Sequence, residues 1–401
     1  MIPRQLEARL RKMATWFPVI SLTGPRQSGK STLIREAFPD YDYINLEDEN
    51  IRAIASDDPV GFIRNRPRRL ILDEVQYVPS LFSSIQVFSD ESQAAGQYIL
   101  SGSQNFLLLK RIRQSLAGRV GILRLLPFSF AELENRTFDR AGIRFGDGRD
   151  DVDAFMLRGG YPRLYGSDIE RLPFFASYEN TYIARDVADY LDVRNVSAFG
   201  SFLRLCAQQV GNLINYSNMA RDVGVDVRTV KSWLSILESS YIALPLMPYH
   251  RNPGKRLTKT PKLYFYDTGL LCHLLRIRSL GQLLTHPMLG AIFENLIVSE
   301  TVKRYTNAGQ EPELYFYRDE DKREVDLIDL TDPGDPGMFE IKASETYHGK
   351  FAKTLTGIGQ QLGIPAEHRA VVYRGSMSSS FAEFNLVTAP DYLGREAKPQ
   401  E

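Results

Sequence analysis

Apolar residues in the first hundred positions fall into short unbroken runs, each ending in small or charged residues. Val19, Ile20 and Leu22 lead into Gly24, and Leu70, Ile71 and Leu72 lead into Asp73 and Glu74. The stretch "QYILSGSQN" ends on Ser101, Ser103 and Asn105. Runs of this length suit strands covered on both faces, and the helical stretches between them predict a doubly wound α/β sheet with its ligand at the carboxyl edge. From Arg149 the pattern turns helical. "DVDAFMLRGGYPRLY" closes one helix on a glycine pair and a proline, and "LPFFASYENTYIARDVADYL" gives a longer helix around Arg185 and Asp186, a connecting region with no assigned chemistry.

"NYSNMARDVGVDVRTVKSWLSILESSYI" predicts two short helices joined by a turn. Ser217 can cap the first and Gly224 stops it. Asp226 can cap the second, where Val230, Trp233, Leu234 and Leu237 share one face. This is a helix-turn-helix pattern, and Arg228, Thr229, Lys231 and Ser235 lie on the side that would meet a DNA major groove. Two apolar strands around a Pro/Gly turn follow, as in a wing. Further on, "LGAIFENLIVSETVKRY" reads as a helix carrying Glu294. "ELYFYRDEDKREVDLIDL" and "MFEIKA" then supply a three-strand meander.

Chemistry enters at "GPRQSGKS", which fits G-x-x-x-x-G-K-[ST] between a strand and a helix. Gly24 and Gly29 let the backbone curl so that its N–H groups face phosphate oxygens, and the helix adds its positive end. The candidate nucleotide-binding set is Gly24, Pro25, Arg26, Gln27, Ser28, Gly29, Lys30, Ser31 and Thr32, with ATP and Mg²⁺ as ligands. Lys30 reaches the β- and γ-phosphates, and Ser31 holds the metal. Asp73 suits the outer shell of Mg²⁺, and Glu74 can accept a proton from the attacking water. Ser103 is a candidate γ-phosphate sensor, although such clusters also make ordinary turns. Arg111, Arg113 and Arg119 read as the wet face of a helix. An arginine finger among them would imply a homo-oligomer.

The 401 residues suit two or three domains. Lys plus Arg and Asp plus Glu both number 49, so any basic contact surface must be local. Between residues 251 and 262 stand Arg251, Lys255, Arg256, Lys259 and Lys262 with no acid, which points to phosphate contact with DNA. The alternative is that this segment packs on its own ATPase core. Cys206 and Cys272 have no metal-ligand spacing, and the amino end lacks an apolar leader. No apolar run approaches the roughly 18–20 residues of a membrane span, so a cytoplasmic protein is expected.

The phrases "GPRQSGKSTL", "LDEVQYVP", "ILSGSQN", "SLAGRV", "GGYP", "YFYDTGL" and "FEIKAS" occur in that order. Together they resemble the bacterial and archaeal AAA-type ATPases that carry a C-terminal domain of unknown function with a restriction-endonuclease-like core. The resemblance implies an α/β P-loop ATPase domain over 1–148, a helical and winged-helix middle over 149–285, and a restriction-endonuclease-like α/β domain over 286–401.

In the last segment, period-two geometry puts Val325 and Leu327 on one side of a strand and Asp326 on the other. Glu340 and Lys342 likewise share a face opposite Phe339 and Ile341. Pairing Asp326 near Glu340 would converge two carboxylates and an ammonium, with Glu294 approaching from the helix. Pattern alone favours a half-exposed strand with alternating charges. The resemblance implies more, because Asp326…Glu340-Ile341-Lys342 follows the D…(D/E)-x-K order of restriction-type nucleases, with valine rather than proline before the aspartate. Glu294, Asp326 and Glu340 would then hold Mg²⁺, Lys342 would orient the attacking water, and Gln360 and Gln361 would point at the site. Two readings stand. One is an ATPase acting on DNA with a metal-dependent nuclease site; the other is a nucleotide-controlled switch whose rear domains only bind partners.

Overall fold

A computed structural model describes residues 2–67, 69–102, 115–134, 136–138, 143–146, 148–183, 196–250 and 260–397. Ser103, Asn105, Arg111, Arg113, Arg185, Asp186, Arg251, Lys255, Arg256 and Lys259 lie outside them. The chain forms two compact units. One comprises Met1–Pro127, Ser239–Tyr241 and Thr306–Gln310; the other comprises Phe128–Glu238, Ile242–Tyr305 and Glu311–Glu401.

The first unit is built on five parallel strands: β1 (Val19–Thr23), β2 (Asp42–Asn45), β3 (Leu70–Asp73), β4 (Tyr98–Gly102) and β5 (Val120–Arg124), in the order β2-β3-β4-β1-β5. Every residue of β1, β3 and β4 is buried. Alternation deals them to two faces. Ile20, Leu22, Ile71 and Ile99 pack with Leu6, Leu10, Leu33 and Ile34, whereas Val19, Leu70, Leu72 and Leu100 pack with Phe62, Leu81, Phe82 and Ile85. Each such side chain contributes about 1.5–3 kcal/mol by leaving water. With β4 between them, the ends of β1 and β3 open onto one edge of the sheet.

In the second unit, β6 (Arg136–Phe138) and β7 (Ile143–Phe145) form a small hairpin. The main sheet has eight strands: β8 (Ala243–Pro248), β9 (Lys262–Phe265), β10 (Leu314–Arg318), β11 (Glu324–Asp329), β12 (Gly337–Lys342), β13 (Arg369–Tyr373), β14 (Ser379–Ser380) and β15 (Asn385–Thr388). Their order is β14-β15-β13-β12-β11-β10-β8-β9. The β10-β11-β12 meander is antiparallel, and β12, β13 and β15 run parallel to one another. Strands β8 and β9 pair antiparallel, as the two strands of a wing would, and the pair also extends this sheet, with β8 parallel to β10 at Met247 and Tyr315. All four residues of β9 are buried.

Ahead of that edge, helices Tyr216–Val223 and Val227–Ser239 are joined at Gly224. Asn215, not Ser217, caps the first by accepting from the Asn218 N–H. Asp226 caps the second by accepting from the Thr229 N–H at 2.8 Å, and Val230, Trp233, Leu234 and Leu237 are buried. The "GGYP" and "YFYDTGL" segments meet in a backbone clamp. The Gly160 N–H donates to Asp267 at 2.7 Å, and a Cβ at Gly160 would lie 2.1 Å from the Phe128 carbonyl oxygen. Among the described residues, no helix is long and apolar enough to cross a membrane.

Candidate functional site

The loop after β1 has the backbone a phosphate cradle needs. Gly24 (φ 150°) packs so closely that a Cβ would stand 2.1 Å from the Leu125 carbonyl oxygen, and Gly29 (φ 92°) starts the helix Lys30–Ala37 in a left-handed conformation. Arg4, which the sequence pattern did not flag, holds this loop by donating to the Ser28 and Leu126 carbonyls at 2.9 and 2.7 Å. Lys30 is buried, and its ammonium donates to the Gly24 and Pro25 carbonyls at 3.0 and 2.9 Å. Ser31 and Thr32 occupy the first turn of the helix, where its unpaired N–H groups point outward. Pro25, Arg26, Gln27 and Ser28 form the loop between the two glycines.

Asp73 ends β3 in a ring of donors. It accepts from the Tyr43 hydroxyl at 2.6 Å, from the Ser101 hydroxyl, and from the Glu74 N–H at 3.1 Å. Ser31 lies near the same hydroxyl, so Tyr43 stands beside both Ser31 and Asp73. Burial and the neighbouring Asp73 carboxylate push the Tyr43 phenol well up, so it stays a donor. Ser31 and Asp73 together offer the hard oxygen donors that Mg²⁺ prefers. Glu74 adopts φ 54°, which costs a non-glycine residue about 1 kcal/mol or more, and its carboxylate accepts from Gln76 at 2.5 Å. Arg119 lies in the turn just before β5, not on a helix face, and pairs with Asp90.

In the second unit, β11 and β12 pair Leu327 with Phe339, which places Asp326 opposite Glu340 one step further along the same register. The Ile341 N–H donates to Asp326 at 2.7 Å, and the Lys342 ammonium lies 2.6 Å from Glu340 and 3.5 Å from Asp326. Glu294 faces a second ammonium. Lys262, from β9, lies 3.0 Å from Glu294 and 2.6 Å from Glu324, and the Tyr264 hydroxyl donates to Glu294 at 2.5 Å. Burial, then Asp326, raises the carboxyl pKa values of both Glu294 and Glu340. Burial alone would lower that of Lys262, but Glu294, Asp326 and Glu324 overcome it and keep the ammonium charged.

This arrangement corrects two expectations. Among the described residues, no three His, Cys, Asp or Glu side chains are grouped to hold a metal ion. Glu294, Asp326 and Glu340 come near one another, with the Lys342 ammonium against Asp326 and Glu340 and the Lys262 ammonium against Glu294. Lys262, expected to meet DNA phosphate, is only 2% exposed and committed to this cluster. Gln360 is exposed and donates to Glu383 rather than into the pocket, and Gln361 is also exposed. On the helix Val227–Ser239, Arg228, Lys231 and Ser235 are exposed, whereas Thr229 spends its hydroxyl on Asp226.

Residues 17–134 match the family described as an AAA domain. Residues 149–281 and 289–392 match two domains of unknown function, DUF8612 and DUF4143. Uncharacterised proteins of Mycobacterium bovis and Mycobacterium tuberculosis are each 30% identical over 348 residues, covering 86% of this chain and 74% of theirs. One from Methanocaldococcus jannaschii is 24% identical over 330 residues, 76% of this chain and 70% of that one. Among solved structures, the Walker-type ATPase of Pyrococcus abyssi is 15% identical and covers 69% of this chain and 96% of its own, with a TM-score of 0.46. The chain contains an AAA domain over residues 17–134 and belongs to the same family as the two mycobacterial proteins.

Proposed function

We propose that this protein is a nucleotide-controlled switch that binds and hydrolyses ATP and passes the change to partner-binding parts behind the ATPase domain. The observation that carries the reading is the meeting of Lys30 and Ser31, after β1, with Asp73 and Glu74, at the end of β3, on one sheet edge, with the Tyr43 hydroxyl donating to Asp73. Backbone N–H groups from Gly24 to Thr32 receive the phosphates, and Lys30 exchanges two loop carbonyls for β- and γ-phosphate oxygens. Magnesium, bound with the nucleotide, neutralises phosphate charge, and Ser31 and Asp73 are the residues that would hold it. Glu74 accepts a proton from the water whose oxygen attacks the γ-phosphorus, and its left-handed backbone fixes where that carboxylate stands. Glu74→Gln is expected to bind ATP but turn it over at least about a hundredfold more slowly. Wild-type turnover in that variant would reassign the base.

The rear of the chain acts in this reading by binding. Arg228 and Lys231, exposed on the second helix of the helix-turn-helix, would meet duplex phosphates, and the C-terminal sheet would provide a restriction-endonuclease-like platform. The Lys262 ammonium, paired with Glu294, favours recognition over cleavage. Replacing Arg228 and Lys231 by alanine should lower the salt slope of duplex binding by about 1–2, because fewer counterions are released. An unchanged slope would remove this helix from the contact.

A further inference from the structure

The helix Val227–Ser239 ends in a way that its sequence does not favour. The Ile242 N–H donates to the Leu237 carbonyl at 2.8 Å, and between them Tyr241 adopts φ 57°. Glycine usually makes this closing turn, because a Cβ resists the left-handed conformation and a bulky residue there is an outlier. The chain places an aromatic ring at the position instead, and the ring is used. Tyr241 is 4% exposed, and its hydroxyl meets the Thr23 hydroxyl at 2.9 Å in a buried contact. The Thr23 hydroxyl donates to the Leu123 carbonyl at 3.3 Å, which leaves the phenol as donor of the pair. Thr23 is the last residue of β1 and stands directly before Gly24, the first glycine of the phosphate loop. Its carbonyl accepts from the Leu125 N–H at 2.8 Å, so the root of the loop is tied to the chain leaving β5 and to a residue 218 positions on. Ser239, Ser240 and Tyr241 accordingly group with the ATPase strands, whereas the rest of their helix does not.

We propose that Tyr241 is a positioning residue of the nucleotide site: it holds the root of the phosphate loop, and through it occupancy of the loop is felt at the end of the helix Val227–Ser239. The inference rests on the switch reading and names the residue through which the switch acts. Receiving a triphosphate requires the backbone from Gly24 to Thr32 to settle around its oxygens, and Thr23 is the point from which that backbone departs. The phenol favours one setting of that point over others. It does not move independently of the helix, because the hydrogen bond from Ile242 to Leu237 closes the helix end around Tyr241. Backbone strain at such a residue persists only where its surroundings hold it, and here the buried hydroxyl pair is part of what holds it. Coupling of this kind is reciprocal: the factor by which a bound nucleotide alters a ligand's hold on the helix is the factor by which that ligand alters nucleotide affinity. Tyr241 lies outside the stretch that matches the AAA domain, and no motif signals it.

Amide hydrogen exchange of the full-length protein, with and without a fluorescent ATP analogue and Mg²⁺, tests this. In the wild type, the bound analogue is expected to slow exchange both in the loop 24–32 and over residues 235–242. Tyr241→Phe removes one oxygen and keeps the ring. It should bind the analogue about two- to tenfold more weakly, keep the slowing in the loop, and lose it over 235–242. Thr23→Val removes the same bond from the other side and should reproduce both changes, with little further loss in the Thr23→Val/Tyr241→Phe double variant. A merely structural hydroxyl would lower the unfolding temperature and leave the response over 235–242 in place, and that result would overturn the inference. So would a wild type that binds the analogue with no change over 235–242. A wild type that does not bind the analogue at all would bring down the switch reading, and this inference with it.

Discussion

The two units each bury a lysine at the heart of a polar site, and the partners of those lysines differ in kind. Lys30 donates to two carbonyls of its own loop, whereas Lys262 is paired with the carboxyl side chains of Glu294 and Glu324. A hydrogen bond from a charged donor contributes about 1.5–3 kcal/mol, and phosphate oxygens replace it with something stronger. Breaking a buried ion pair costs about 3–5 kcal/mol, because the remaining charge is stranded. The first lysine is therefore ready to change partners and the second is not. Two buried lysines can be receptive or closed, and the kind of resting partner decides which.

Exchanging the roles of the two lysines gives the largest expected effect. Lys30→Ala should reduce ATP turnover by about a hundredfold or more while leaving the unfolding temperature of the second unit in place. Lys262→Met should do the reverse, destabilising the second unit by about 3–5 kcal/mol with ATP turnover retained below its melting range. Equal stability losses in the two variants, measured by thermal unfolding, would erase the distinction.

A smaller effect concerns pH. The folded Glu340 carboxyl is raised from 4.5 to about 8, first by burial and then by Asp326, so the folded state holds its proton more tightly than the unfolded chain. The stability this provides is present below about pH 4.5 and is lost as pH rises toward about 8. Glu340→Gln stays neutral throughout, so the unfolding temperature of its second unit should fall less across that window than in the wild type. Parallel curves for the two proteins would show that Lys342 already neutralises Glu340.

What could be read from the chain was local. The runs ending at Gly24 and Asp73 are strands β1 and β3 because every position in them is covered, and unbroken apolar runs signal that condition. The meander around Asp326 and Glu340, the cap at Asp226 and the buried face of the second short helix were legible for similar reasons: each depends on spacings of a few residues. What escaped depends on distant partners. Tyr43 meets Asp73 across 30 residues, and Arg4 reaches Leu126 across 122. Lys262 was misread because it ends a basic run, and nothing nearby in sequence reveals Glu294, 32 residues on, as its partner. The Ser217 assignment failed by two residues, since Asn215 offers the same side-chain acceptor at the position where the helix begins.

Strand β9 is pinned at both ends. Lys262 anchors its start among carboxylates, and just beyond its finish Asp267 takes the N–H groups of Gly160 and Leu270. Sliding the strand by one residue would offer Leu263 to the acids and drag an ammonium into oil, since neighbouring positions of a strand face opposite ways. Fastened so, the strand has one register, and its outer rim is closed to a passing chain because Leu263 exchanges hydrogen bonds with Gly211 and Asn212 along that side.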